Sequence, residues 1–231
     1  MHAFPVQHEA TWSLAGSGYV RPTLGPATFR DDRGEVIPYG DRWPGGAPPK
    51  DAYSVVHNPG RFAPLADVAE AVIEYLRRID GVTANDNLRL TEERELRFLG
   101  PGNASGPHIQ RAVRLTPPRP EAAPLTLAFT NFPGIGLWAG AFFRLFLPRC
   151  GCDACDEEWS GCANELEMTV FAVVNGTFSE LLRGRRLETR ISYPGGGSSS
   201  VCSLRYLPYS PFDVKTAARR LRSLSDNWQP W

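Results

Sequence analysis

Three cysteines fall within six positions in "RCGCDACDEE", residues 149–158, and acidic residues follow at once. With the next cysteine the spacing is C-x-C-x2-C-x6-C, over Cys150, Cys152, Cys155 and Cys162. Zinc takes four ligands in a tetrahedron, and thiolates are its usual structural donors. A C-x2-C turn lets two sulfurs converge on one ion, and Cys150 is near enough to add a third. Cys162 can supply the fourth from about two turns into a helix if the chain folds back. Asp153, Asp156, a histidine or Cys202 are substitutes for that last position. No open-site ligand set is evident. The zinc expected here is therefore structural, a clamp on the strand-to-helix junction whose binding energy appears as folding energy.

Other chemistries compete for the same residues. Cys152-Asp153-Ala154-Cys155 has the form of a redox dithiol, and a place at a helix start would lower a thiol pKa. Asp153, Asp156, Glu157 and Glu158 act the other way, because neighbouring negative charge raises it. No thioredoxin-like βαβ pattern precedes the stretch, and the spacing is not that of a ferredoxin cluster. A cysteine nucleophile would need His2, His8, His57 or His108 to reach it in space, and surface or turn packing is the expected role of each. The plain alternative is that these cysteines are small hydrophobes packed in a tight turn.

Elsewhere the motifs are weak. "FTNFPGIGLWAG" places Gly134, Gly136 and Gly140 as G-x-G-x3-G, one residue too long for a dinucleotide loop. Pro148 blocks the helix that should follow, so a hairpin is expected. Walker, G-x-S-x-G and H-E-x2-H motifs are absent. In "DRWPGG", 41–46, Arg42 and Trp43 could meet a ligand or partner, but a buried tryptophan also anchors an irregular segment through its large apolar area.

The elements that must position these residues follow from periodicity. In "APLADVAEAVIEYLRRIDG", Leu65, Val68, Ala69, Val72, Ile73 and Leu76 keep helical spacing, with Pro64 at the first turn and Gly81 at the stop; this predicts a helix over about 64–80. "LRLTEERELRFLG" is ambiguous between strand and short helix. "IQRAVRLTP", "PLTLAFTNF" and "IGLWAGAFFRLFLP" read as sheet, with a hairpin at Pro133-Gly134. After the cysteines, Cys162, Leu166, Val170 and Val173 form one helical stripe ended by Asn175-Gly176. Strands are expected at 185–193 and 201–206 around a loop "PGGGSSS". A last helix carries Val214, Ala217, Ala218, Leu221 and Leu224, with Ser210 and Asp213 as a capping box. On it "KTAARRLR" reads as a solvated face. Trp228 and Trp231 would cover the core edge. Residues 1–62, rich in Pro, Gly and aromatics, predict an irregular arm packed on a domain over 63–231. The expected fold class is α+β: a single domain with an antiparallel sheet, about three helices and that long arm.

The chain has 231 residues, ample for a sizeable core, and balances 25 basic against 25 acidic residues. That neutrality argues against nucleic acid as a partner. No apolar run is long enough to span a bilayer, and "MHAFPVQHEATWSLAGSG" lacks the pattern of a secretory signal. Clustered cysteines also fit a reducing compartment better than a disulfide scaffold. The cytoplasm is the expected location, with no membrane partner.

"YGDRWPGGAPPKDAYSVVHNPGRFAPLADVA", 39–69, together with "CGCDACDE", 150–157, resembles a bacterial family of proteins with no assigned function. The helix "NELEMTVFAVVNGTFSE" and the Trp-bearing tail are similar too, and Cys162 is not part of that pattern. The resemblance implies a cytoplasmic single-domain protein and no particular reaction. The function expected is binding of a protein or small-molecule partner, with a structural zinc site. The alternative is a thiol- or zinc-dependent enzyme that uses the Cys150–Cys155 cluster.

Overall fold

Six apolar side chains at helical spacing bury one face of α1, Pro64–Arg77; Leu65, Val68, Ala69, Val72, Ile73 and Leu76 are all fully inside. At about 1.5–3 kcal/mol for each large side chain, that stripe anchors the core. The computed structural model describes residues 18–25, 28–86, 88, 108–206, 211–225 and 227–231. The expectations for His2, His8, Ser210, the first part of the arm and most of "LRLTEERELRFLG" lie outside the described residues.

Against α1 lies a five-stranded antiparallel meander in sequence order: β1 Thr83–Asn85, β2 Ile109–Thr116, β3 Leu125–Thr130, β4 Ile135–Ala139 and β5 Phe143–Leu147. Alternation sorts its two faces. Val113, Leu115, Leu125, Leu127, Ile135 and Leu137 join the main core, whereas Ala112, Ala128 and Trp138 form a small cluster on the other side. The hairpin at Pro133-Gly134 is present. "IGLWAGAFFRLFLP" is not one strand but two, because Gly140 (φ 62°) turns the chain between β4 and β5. The glycine pattern therefore serves hairpins.

The second sheet is β6 Phe178–Arg183, β7 Arg186–Tyr193 and β8 Gly196–Ser203, again antiparallel and in order. Two expectations are corrected here. β6 had no counterpart in the sequence reading, and "PGGGSSS" is mostly strand, with only Pro194-Gly195 left as a two-residue turn. β8 is paired by backbone on one side and exposed along most of its length, so it carries no apolar alternation to detect.

Glu180 ties the two sheets together. Only 4% exposed, it accepts hydrogen bonds from the backbone N–H of Ala141, Phe142 and Phe143 at 2.7, 2.7 and 2.8 Å and from Trp228 Nε1 at 2.9 Å. α2, Trp159–Val174, packs on α1 and on β6 and β7 of the second sheet, with Cys162, Leu166, Val170 and Val173 buried as its spacing predicts. α3, Pro211–Ser223, packs on β6 through Ala218 and Leu221, while Lys215, Arg219 and Arg222 face solvent. Trp228 is buried and Trp231 packs against the core beside it. The molecule is thus a single α+β domain, with three α-helices and two antiparallel sheets among the described residues. No helix among them is long and apolar enough to cross a membrane.

Candidate metal centre

The eleven residues between β5 and α2 must turn sharply, because strand and helix both enter the same core. Gly151 takes a left-handed backbone (φ 76°), and a Cβ there would sit 3.0 Å from the Phe132 ring. Glu157 then folds back over the turn. Its carboxylate accepts N–H donors from Arg149 at 2.8 Å, Cys150 at 2.8 Å and Gly151 at 2.9 Å. Charge-assisted bonds of this kind are about twice as strong as neutral ones. They pin the start of the loop to its end.

The pinned turn gathers Cys150, Cys152 and Cys155, whose sulfurs all lie within 4.8 Å of one another. Cys150 and Cys152 are 3.2 Å apart, too far for a disulfide, and all the described cysteines are free thiols. Three sulfurs on one zinc, each at about 2.3 Å, are separated by roughly 3.8 Å. The Cys150–Cys152 spacing of 3.2 Å and the 4.8 Å limit on all three pairs put the sulfurs within a small shift of that value. Cys152 is buried, whereas Cys150 and Cys155 are exposed. Cys162 is not a member of this group: it sits on the buried stripe of α2 within the main core. Burial, with Glu157, Glu165 and Glu158 nearby, raises its thiol to about 12. Cys202 is half-buried on β8. Among the described residues, no histidine or carboxylate joins the three sulfurs.

Acidic neighbours raise a thiol pKa, and for Cys152 the structure reverses that direction. Burial pushes this thiol up, but hydrogen bonds from the Cys150 thiol, the Cys155 backbone and thiol, and the Ser54 backbone outweigh it and bring it down to about 7. Ser54, at φ 61°, is one of two non-glycine residues with a left-handed backbone among the described residues. Cys155 moves the other way, to about 12, through burial and its two cysteine neighbours. Nor does the dithiol stand at a helix start, because α2 begins only at Trp159.

The acidic groups are engaged elsewhere. Asp156 accepts the Arg42 N–H at 2.8 Å, and Glu158 accepts the Ser160 hydroxyl. Asp153, 1% exposed, holds the irregular segment before α1. Its Oδ2 contacts His57 Nδ1, and Arg42 and Arg61 each approach it at 3.6 Å. Burial raises its carboxyl, but the His57 ring and backbone, with Arg42, pull it below the usual carboxylate range. Backbone bonds complete the seam: Asp153 N–H to the Val55 carbonyl at 2.8 Å and Ala154 N–H to the Ala52 carbonyl at 3.0 Å.

Arg61, only 3% exposed, caps the back of the turn. It donates to the carbonyls of Gly151 at 2.8 Å and Glu157 at 3.2 Å, and its guanidinium stacks 4.3 Å from the Tyr39 ring centroid. Trp43 donates Nε1–H to the Asp153 carbonyl at 3.2 Å and packs on Ala52, Cys152 and Ala154. The segment "DRWPGG" is therefore an anchor onto the cysteine turn. His57 has its own place there, on Asp153 rather than on a thiol. The sequence did not mark Arg61 or Glu157 as site residues; the one available signal was a buried-type context for a charged residue beside Phe62.

No curated protein and no solved structure matches the chain. A family model does, over residues 25–231, which include the whole cysteine turn and the segment that wraps it. The chain belongs to that family, DUF6226, a family of unknown function.

Proposed function

We propose that Cys150, Cys152 and Cys155 form a thiolate centre for zinc, and that the protein works in the cytoplasm by binding a partner rather than by turning over a substrate. The observation that carries this is the convergence of three sulfurs on one pinned turn. Structural zinc favours thiolates. N–H donors at Cys152 from Ser54 and Cys155 stabilise the charged form the metal needs. With three protein thiolates the fourth position is open to a water or another exogenous ligand, unlike the closed site that the sequence predicts. The role of the ion is a clamp: it fixes the turn on which residues 42–61 are seated, and part of the stability of that seam is metal-binding energy.

The test is zinc analysis, thiol counting and thermal unfolding, before and after chelation. About one zinc per chain is expected, with chelation lowering Tm and raising thiol reactivity. Protein that takes up no zinc on titration, with unchanged melting, overturns the proposal. The 3.2 Å separation of Cys150 and Cys152 favours one second reading, a dithiol–disulfide couple. Metal-free protein with a single hyper-reactive thiol in this turn would select it.

A further inference from the structure

A cavity of about 420 Å³ opens between α2 and the β6–β7 sheet, on residues distinct from the cysteine turn. Its volume falls within the roughly 300–1,000 Å³ of small-molecule sites. The walls are largely apolar, supplied by Met168, Phe171 and Ala172 of α2 and by Tyr193 and Pro194 at the β7–β8 turn. One end is polar and built from a fixed constellation. Arg21 donates Nε–H to Glu167 at 2.9 Å and Nη2–H to Asn164 at 2.6 Å, and Tyr19 donates its hydroxyl to Glu167 at 2.5 Å. Arg21 and Glu167 also form an ion pair through Nη2 and Oε2.

That pairing decides what the cavity can hold. Glu167 already neutralises Arg21, so an anion entering would lose its hydration without meeting a net positive charge. N–H groups remain. Among the described residues, neither Arg21 Nη1 nor Asn164 Nδ2 has a hydrogen-bond partner, and both residues line the cavity. A neutral acceptor, such as a ketone, ester or amide carbonyl, satisfies them at no charge penalty. Its apolar body would lie on Met168, Phe171 and Ala172. We infer that this cavity binds an uncharged, mainly apolar small molecule carrying a carbonyl-type acceptor at one end.

The site does not depend on the metal centre, and the two can fail separately. The probe is Nile red, a neutral ring system with a terminal carbonyl, titrated into the full chain and read as enhanced, blue-shifted emission. Saturable binding with one site per chain is expected. Ser192→Trp places an indole at the exposed rim of the cavity and should weaken binding about tenfold or more by occupying it. Val201→Trp adds the same side chain at an exposed β8 position outside the cavity lining and should leave binding unchanged. If Ser192→Trp loses its native circular dichroism, Asn175→Trp, at another exposed lining position, takes its place. Non-saturable binding, equal binding by the rim and control variants, or tighter binding of an anionic anilinonaphthalene sulfonate than of Nile red would each overturn the inference.

Discussion

His57 Nδ1 rests against Oδ2 of Asp153, a buried carboxylate 96 residues further along the chain. The contact joins the irregular segment before α1 to the centre of the cysteine turn. Arg42 and Arg61 meet the same carboxylate from 3.6 Å, so a single side chain gathers three cationic or protonatable groups from that segment.

Asp153→Ala should therefore be among the most damaging substitutions in the protein. Arg61 would be left buried beside no carboxylate, and breaking a buried pair from one side costs about 3–5 kcal/mol. Urea unfolding should show a lower midpoint with an unchanged slope. A loss below about 0.5 kcal/mol, the range of an ordinary surface substitution, would contradict the role given to Asp153.

Glu157→Ala removes the pin from the N–H groups of Arg149, Cys150 and Gly151. Cys150 then loses its fixed position relative to Cys152. Zinc affinity should fall by about 10–100-fold, the usual effect of losing an outer partner of a metal site. Competition with a chromophoric chelator measures it, and unaltered affinity would show that the turn holds its shape without the carboxylate.

Cys152→Ser and Cys162→Ser should separate two kinds of cysteine. The first removes a sulfur from the convergent group and should abolish stoichiometric zinc. The second leaves the metal content intact but buries a hydroxyl in the core beside Leu166, at a cost of about 1–3 kcal/mol. Metal analysis with thermal melting reads both.

Glu180 carries a pH signature. Burial pushes its carboxyl above the ordinary range, against four N–H donors that pull it down. A group whose pKa is raised on folding contributes stability that is complete below its unfolded value, about 4.3 for glutamate, and lost as pH rises through the folded value. Glu180→Gln cannot titrate, and it turns an amide N–H₂ toward N–H donors, costing about 1–3 kcal/mol. The stability gap between wild type and this variant should widen as pH falls from neutral toward the unfolded value. A gap constant with pH would contradict the raised pKa.

Legibility from sequence followed side-chain periodicity. The stripes of α1 and α2 are plain because every third or fourth residue must enter one core, and β2 to β4 are plain because they alternate or are wholly apolar. β8 escaped because its Gly and Ser residues meet only backbone on one side and solvent on the other. The cysteine convergence could be anticipated, since three thiols so close in the chain need only one turn to meet. What held the turn could not. Arg61, His57 and Trp43 lie some ninety to one hundred and ten residues before it, and their pairing with the loop is a product of tertiary packing. The same packing engaged Asp153, Asp156 and Glu157 elsewhere, while hydrogen bonds from Cys150, Cys155 and Ser54 reversed the expected direction at Cys152.

X-ray absorption fine structure of the zinc-loaded chain measures the centre most directly. Three sulfurs at about 2.3 Å and one lighter atom at about 2.0–2.2 Å are expected around the ion. A shell of oxygen and nitrogen alone would contradict a thiolate centre, and a fourth sulfur would contradict a site confined to Cys150, Cys152 and Cys155.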